Sequence, residues 1–250
     1  MVDKVRISVA MITYNGETFL REQLSSILSQ LSAKDELVIS DDGSTDGTLA
    51  IIEEFRNGNV PIRLLTGPQC GIKANIEHAL RHCNGKYIFL ADQDDIWASD
   101  KVKEVLLCFK IGKVSLVIHD AVVFTDSTES PVMDSFFAFR HSKAGIIKNL
   151  WKNSYIGCCM AFRRELLDKA LPIPSKIEMH DQWLGILNDF YYKKSYFYHK
   201  PLLYYRRHGD NSSAMHRYSF LKMLCNRIVF LGYFIRRIFE RSFHGPNFSI

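Results

Sequence analysis

Residues 86–97 read Lys-Tyr-Ile-Phe-Leu-Ala-Asp-Gln-Asp-Asp-Ile-Trp, so an apolar run leads directly into three carboxylates within four residues. The apolar half predicts a buried strand, and the acidic half begins where that strand ends. Like charges at about 4 Å repel by about 1 kcal/mol in water and by about 4 kcal/mol at an effective dielectric of 20. A bound cation offsets such repulsion, and carboxylate oxygens suit Mg²⁺ or Mn²⁺. A solvated turn is the alternative interpretation.

The sequence around this stretch alternates strand-like and helix-like segments. Strands are predicted at residues 5–12, 36–40, 61–65, 86–91, 115–119 and 157–163. Helices are predicted at residues 19–31, 49–55, 72–83, 99–109 and 180–191, with Asp46 as the cap of the second helix and Leu49, Ile52 and Phe55 on one face of it. Repeated βα units imply an α/β protein with a mostly parallel sheet covered by helices on both faces.

Polar clusters follow three of these strands. They are Thr13-Tyr14-Asn15, Asp41-Asp42-Gly43-Ser44 and Asp92-Gln93-Asp94-Asp95. Ligands of such sheets bind beyond the carboxyl ends of the strands, so we expect the clusters to face one crevice. A carboxylate there can accept a hydrogen bond from a base N–H or a ribose hydroxyl, although the second cluster is also typical of a turn that feeds a helix.

Composition excludes several classes of protein. The 250 residues are 47% hydrophobic and 24% charged, which excludes a mainly disordered chain. Six cysteines without a CxxC pair, and nine histidines without HxH or HExxH spacing, argue against a disulfide scaffold and a zinc site. The first residues carry no apolar signal segment, so a cytoplasmic protein is expected.

The basic residues are concentrated near the C-terminus. The net charge is +5, and eight Lys and Arg against two acids fall between Arg206 and Arg241. Apolar residues at 224, 228, 231, 235 and 238 predict a helical stripe, so we divide the chain into a domain at 1–213 and a basic helical tail at 214–250. Two interpretations stay open: the stripe packs on the domain or on a second copy in a homodimer, or it lies on an anionic membrane surface. A nucleic-acid partner is not expected.

The ordered clusters resemble the inverting glycosyltransferases of family 2, which have the Rossmann-like GT-A fold. The likeness covers about residues 5–213 and is greatest to bacterial rhamnosyl-, glucosyl- and galactosyltransferases of O-antigen and capsule assembly. It implies transfer of a sugar from a UDP- or dTDP-linked donor to a glycan acceptor on a polyprenyl diphosphate. It also implies Mn²⁺ or Mg²⁺ as the cofactor and a peripheral location on the inner face of the cell membrane.

The resemblance implies a role for residues in each cluster. Asp94 would hold the metal against the diphosphate, His208 would bind the metal or the diphosphate, and Asp92 would meet the ribose. Asp181, which opens a helix and precedes Trp183, would be the general base that takes a proton from the acceptor hydroxyl. The other implied donor-binding residues are Thr13, Tyr14 and Asp42 around the base, together with Asn15, Gly43, Ser44, Lys73, Gln93 and Arg207.

This chain departs from the family pattern at two places. Lys73-Ala74-Asn75 stands where the family more often has Ala-Arg-Asn, and His180 stands where an acid commonly precedes the base. Two alternatives to a glycosyltransferase are also open. A nucleotidyltransferase would usually carry a Gly-rich basic loop after its first strand, which residues 13–17 do not form. A membrane-associated protein that binds nucleotide sugars without catalysis would keep the same pocket.

Overall fold

The computed structural model describes residues 5–209 and 219–243. Within them, one sheet contains eight strands in the order β3-β2-β1-β4-β7-β6-β8-β5. The strands are β1 (Ile7–Thr13), β2 (Glu36–Asp41), β3 (Ile62–Thr66), β4 (Tyr87–Ala91), β5 (Ile96–Trp97), β6 (Leu116–Phe124), β7 (Met160–Arg163) and β8 (Ser195–Arg206).

Helices flank the sheet and connect most of its strands. They are α1 (Glu17–Leu28), α2 (Thr48–Phe55), α3 (Ile72–Arg81), α4 (Lys101–Ile111), α5 (Phe136–Arg140), α6 (Ile146–Trp151), α7 (Leu167–Ala170), α8 (His180–Tyr191) and α9 (Phe220–Phe243). Among the described residues, none of these helices is both long and apolar enough to cross a bilayer.

The first four strands of the chain run parallel to one another. β1 pairs in parallel with β2 and with β4, and β2 pairs in parallel with β3. β1 and β2 are almost wholly buried, which accounts for their near-continuous apolar sequences. Because β1, β2 and β4 run in the same direction, the loops that follow them lie at the same edge.

In the second half of the sheet, the end of the last strand, β8, lies beside the acidic loop at residues 92–95. β7 runs antiparallel to β4 and β6, and β8 runs parallel to β6. The two-residue strand β5, which directly follows Asp95, pairs antiparallel with β8 through Ile96 and Tyr204. This pairing brings residues 206–208 beside the acidic loop.

The structure corrects several expectations about individual elements. Residues 157–159 form a 3-10 turn rather than the start of β7, and β6 continues five residues beyond the predicted end at His119. The strand β8 was not predicted at all. Leu49 on α2 is 41% exposed, and Ile51 points inward instead, because the helix presents its 51–52 side to the core.

The tail helix is present, but four of the five residues of its predicted stripe do not pack on the domain, and only the fifth, Ile238, is half-buried against the core. Leu224, Ile228, Leu231 and Ile235 are exposed, whereas Phe230 and Phe234 are buried. The helix is apolar on two sides, and the larger aromatic side chains take the inner one. The proposed boundary between residues 213 and 214, and Asp210 and Asn211 of the polar segment before it, lie outside the described residues.

Candidate active site

The three polar clusters meet in one crevice, as the strand order predicts. The Gln93 side-chain amide pairs with both backbone groups of Tyr14: the Tyr14 N–H donates to Oε1 at 2.8 Å, and Nε2 donates to the carbonyl at 3.0 Å. The Asn15 N–H donates to Ser44 Oγ at 2.9 Å, and the Thr45 N–H donates to Asn15 Oδ1 at 2.8 Å. Gln93, Asn15 and Ser44 therefore join the loops to one another, with Asn15 in a left-handed conformation at φ 46°.

Asp41 shapes the loop after β2 from within. Its buried carboxylate accepts hydrogen bonds from Thr13 Oγ1 at 2.7 Å and Ser44 Oγ at 2.6 Å, and from the N–H groups of Gly43 and Ser44. Gly43 has φ +96°, a conformation that favours glycine, and a Cβ there would lie 3.0 Å from Gln69 Nε2. The hydroxyl of Thr13 is thus part of the buried wall of the crevice.

Asp42 and Tyr14 lie nearer the opening of the crevice. The Asp42 carboxylate accepts hydrogen bonds from the N–H of Gln69 at 2.7 Å and of Gly71 at 3.0 Å, so it fixes the loop that precedes α3. The Tyr14 side chain is 59% exposed. An exposed aromatic ring on a fixed backbone provides a surface on which a base can stack.

Asp94 and His208 lie in contact although 114 residues separate them along the chain. Asp94 Oδ2 and His208 Nε2 are 2.7 Å apart, and the His208 ring packs 4.8 Å from the ring of Phe19. Arg206 positions the acidic loop beside His208. Its Nε donates to the Asp94 carbonyl at 2.9 Å, and its backbone N–H donates to Asp95 Oδ1 at 3.2 Å. A carboxylate oxygen and an imidazole nitrogen side by side fit a divalent transition-metal ion.

Arg207 lies between the buried Arg206 and His208. Its backbone N–H donates to the Phe124 carbonyl at 2.8 Å, and its side chain is partly exposed. Arg206, by contrast, is buried between Phe19 and Phe124, with its guanidinium 4.8 Å and 4.5 Å from the ring centres. Arg206 therefore supports the loop, and Arg207 is the member of the pair that is accessible.

Beside Asp94 lies an acidic floor formed by Asp92, Asp95 and Cys158, in which Asp95 and Cys158 are buried and Asp92 is half-buried. One carboxylate oxygen each from Asp92 and Asp95 and the Cys158 sulfur lie within 4.8 Å of one another. Removal from water raises the pKa of Asp92 to about 7, and the carboxylates of Asp94 and Asp181 act in the same direction. Asp95 is fully buried, burial raises its pKa, and its Oδ2 has no hydrogen-bond partner among the described residues.

Lys101 supplies a buried cation next to this floor, and the sequence analysis did not single it out. Its ammonium donates to the Cys158 carbonyl at 2.9 Å and lies 3.9 Å from the centre of the Trp97 ring. Burial lowers its pKa to about 8, while Asp95 and Asp92 favour its charged form. The Lys101 ammonium and the Asp92 carboxylate therefore favour each other's charged form.

Asp181 faces the same crevice from the first turn of α8. It is 7% exposed, and its Oδ1 accepts hydrogen bonds from Asn153 Nδ2 at 3.2 Å and from the Gln182 N–H at 2.5 Å. Burial raises its pKa to about 7, although these hydrogen bonds favour the charged form. A carboxylate that titrates near neutrality is suited to accept a proton from a hydroxyl group. Asn153 lies in a region without a motif, and the sequence analysis missed it.

His180 and Lys73 lie behind Asp181. Burial lowers the pKa of His180 to about 4, with a further contribution from Lys73, so the imidazole is neutral. Lys73 Nζ donates to the carbonyls of Ser175 and Ile177, both at 2.5 Å. The structure therefore brings the Lys73 ammonium to the loop that leads into α8, whereas the resemblance implied that Lys73 lies near the nucleotide or diphosphate of the donor.

The sequence is similar to known proteins over most of its length. Residues 8–171 match the family described as Glycosyl transferase family 2. The chain is 30% identical over 220 residues to the dTDP-rhamnosyl transferase RfbG of Shigella flexneri, covering 80% of this chain and 72% of the relative. It is 29% identical over 191 residues to the UDP-Glc:alpha-D-GlcNAc-diphosphoundecaprenol beta-1,3-glucosyltransferase WfgD of Escherichia coli, covering 75% of this chain and 72% of that protein.

Solved structures share the GT-A fold with this chain. The S. aureus TarS 1-349 complex with UDP-GlcNAc superposes with a TM-score of 0.69 at 18% identity, covering 94% of this chain and 73% of that one. The mannosyltransferase PcManGT from Pyrobaculum calidifontis, in complex with GDP-Man and Mn²⁺, gives a TM-score of 0.60 at 22% identity and covers 78% of this chain. The chain spans only 55% of the length of PcManGT and 60% of another TarS 1-349 structure.

Proposed function

We propose a specific reaction for this chain, which belongs to glycosyl transferase family 2 and is a glycosyltransferase. It moves one sugar, with inversion, from a UDP- or dTDP-linked donor to a lipid-linked glycan. This transfer would serve O-antigen or capsule-type polysaccharide synthesis. The observation that carries the proposal is the Asp94–His208 contact at 2.7 Å in the crevice that Asp181 also faces. RfbG is named for a dTDP-rhamnosyl donor, and WfgD for a UDP-glucose donor and a diphosphoundecaprenol acceptor.

The donor would lie across the three loops. Tyr14 would stack on the base, and Asp92 would accept hydrogen bonds from the ribose. Asp94 and His208 would hold Mn²⁺ or Mg²⁺, which when bound offsets the negative charge on the departing diphosphate. Arg207, beside His208, would add a second cation near the phosphoryl oxygens.

Asp181 would act on the acceptor side. Its carboxylate takes the proton from the acceptor hydroxyl while the oxygen attacks the anomeric carbon and the bond from that carbon to the diphosphate breaks. One displacement inverts the anomeric configuration and releases the nucleoside diphosphate, so no covalent enzyme intermediate is required. With a pKa near 7, a large share of Asp181 is ionised at neutral pH, and the ionised carboxylate is a stronger base than one with an ordinary pKa.

A transfer assay on the full chain tests the proposal. Thermal shift first identifies which UDP- or dTDP-sugar stabilises the protein in the presence of Mn²⁺, since bound ligand stabilises by mass action. Transfer from that donor to a synthetic polyprenyl-diphosphate glycan is then measured, and the anomeric configuration of the product is read by NMR. The proposal predicts an inverted product and, for Asp181→Asn, donor binding without transfer.

Two outcomes would reject parts of the proposal. A retained anomeric configuration would rule out the single displacement at Asp181. A donor that binds while no acceptor supports turnover in either the wild-type chain or Asp181→Asn would favour the alternative of a binding protein without catalysis.

A further inference from the structure

The helix α9 is fixed to the domain by one of its two faces. Phe230 packs 5.7 Å from the Trp183 ring, and Phe234 packs 5.4 Å from the Phe190 ring. The buried Arg237 donates hydrogen bonds to the carbonyl groups of the segment before α8. These contacts fix the rotation of α9 about its axis, so the opposite face of the helix points away from the domain.

The opposite face carries a line of exposed apolar side chains, which we name the outer stripe. Its members are 39% to 72% exposed: Leu221, Leu224, Ile228, Leu231, Ile235 and Phe239. Their spacing of three and four residues places them along one side of the helix. Exposed apolar groups in such a contiguous row mark an interaction surface rather than ordinary surface composition.

The outer stripe continues onto α6. Ile147 is 86% exposed and Trp151 is 62% exposed. The Arg227 guanidinium lies 4.2 Å from the Trp151 ring centre, and its Nε donates to the Trp151 carbonyl at 3.1 Å. We call the outer stripe together with Ile147 and Trp151 the α6–α9 surface.

Charge favours one kind of partner for this surface. Residues 146–152 and 220–243 contain seven Lys and Arg but one acid, Glu240. One of the seven, Arg237, is buried against the domain, which leaves six cations for this surface. Two copies joined through this surface would bring two sets of cations together, which is repulsive. An anionic bilayer attracts them and also accepts the apolar stripe, with the indole and the long cationic side chains at headgroup level. We propose that the α6–α9 surface seats the protein on an anionic lipid bilayer.

The inner face of α9 contacts the segment that carries the candidate base. Asn226 Nδ2 on α9 donates to Glu178 Oε2 at 3.0 Å, three residues before Asp181, and Phe230 contacts Trp183 two residues after it. A bilayer on the outer stripe is therefore separated from α8 by the thickness of α9. A protein seated in this way would receive a lipid-linked acceptor from the side of Asp181. This last step rests on the proposed function.

Vesicle flotation with the full chain tests the inference. We expect binding to vesicles of phosphatidylcholine with one third phosphatidylglycerol, and at least tenfold weaker binding to phosphatidylcholine alone. Ile228→Ser combined with Ile235→Ser is expected to weaken binding to the anionic vesicles at least tenfold. The matched control is Leu107→Ser combined with Ile111→Ser, which removes two exposed apolar side chains from α4 and should leave flotation unchanged.

Separate measurements keep the outcomes apart. Circular dichroism and thermal unfolding confirm that each variant is folded, and donor hydrolysis in vesicle-free solution should be equal in the wild type and the stripe variant. Equal flotation of the wild type and the stripe variant, or no flotation of the wild type, would overturn the inference. So would a dimer in light scattering that the stripe variant abolishes. Flotation without any sugar transfer would instead reject the proposed function and leave the surface assignment standing.

Discussion

Replacing Asn153 with alanine should shift the pH dependence of transfer to higher pH. Asn153 Nδ2 donates a hydrogen bond to Asp181 Oδ1 at 3.2 Å, and this bond favours the ionised carboxylate. Without it the ionised form loses stabilisation, so the pKa of Asp181 rises above its value of about 7. Because a general base works only when it is ionised, activity should require a higher pH.

The size of the shift follows from the geometry of the bond. A hydrogen bond to a charged group contributes about 1.5–3 kcal/mol, and the length of 3.2 Å argues for the lower end of that range. One pKa unit corresponds to about 1.36 kcal/mol, so the pKa of Asp181 should rise by about one unit, to roughly 8. The ionised fraction at pH 7 then falls from about one half to about one eleventh, which lowers the rate about fivefold.

The assay is the pH profile of kcat/KM with acceptor varied and donor saturating. The account predicts that the acidic limb of Asn153→Ala is displaced upward and that its rate near pH 9 returns to the wild-type value. Asn84→Ala is the control, because the Asn84 amide binds Glu36 and the His82 carbonyl at the far end of the sheet. A loss that is equal at every pH would refute the argument, since it would indicate damage to the fold rather than a changed pKa.

Three further predictions concern the donor pocket, the metal pair and the buried cation. Tyr14→Ala should weaken binding of UDP or dTDP about fivefold to a hundredfold in calorimetry, while Tyr14→Phe should retain it, and equal affinity of all three proteins would exclude base stacking. His208→Ala should raise the Mn²⁺ concentration for half-maximal transfer at least tenfold, and an unchanged requirement would exclude His208 as a ligand. Because folding lowers the pKa of Lys101 from its ordinary value of 10.5 to about 8, the free energy of unfolding of the wild type should decrease as the pH is lowered from about 10.5 to about 8. Lys101→Met should lose this decrease, whereas Lys103→Met on the exposed side of α4 should keep it. Urea unfolding at the two pH values measures it, and an equal decrease in Lys101→Met would exclude a buried charged ammonium.

The alternating half of the fold could be read from the sequence because each element there has one dominant period. The helix over 180–191 has the predicted ends, and the strand ending at Ala91 begins one residue later than predicted. β8 escaped prediction for a physical reason. Its sequence mixes aromatic, basic and apolar residues around Pro201 without alternation, and its pairing with β6 and β5 depends on contacts distant in the chain.

The tail shows what periodicity leaves undetermined. Residues 224, 228, 231 and 235 identify a helix correctly, but Phe230 and Phe234 form a second apolar line on the same helix. A sequence pattern does not say which line meets the domain. The fit of two phenylalanine rings against Trp183 and Phe190 decides it, and that fit exists only after the chain has folded.

The candidate site was partly predictable for a similar reason. Strand ends gave the convergence of the loops around Tyr14 and Gln93, because parallel topology places them at one edge. Lys101 and Asn153 could not be found in this way, since each acts through a neighbour that the folded chain supplies: the Cys158 carbonyl for Lys101, and Asp181 for Asn153. The third acid of the cluster, Asp95, was the available hint that a buried cation is needed nearby.

The proposed function requires that the crevice bind a nucleoside diphosphate through a divalent ion held at Asp94. Isothermal titration calorimetry of UDP and dTDP, with and without Mn²⁺, tests it most directly in the wild type, Asp94→Asn and Asp181→Asn. We expect tight binding only with Mn²⁺ in the wild type and Asp181→Asn, and a loss of that Mn²⁺ dependence in Asp94→Asn. Equal affinity with and without Mn²⁺ in the wild-type protein would contradict it.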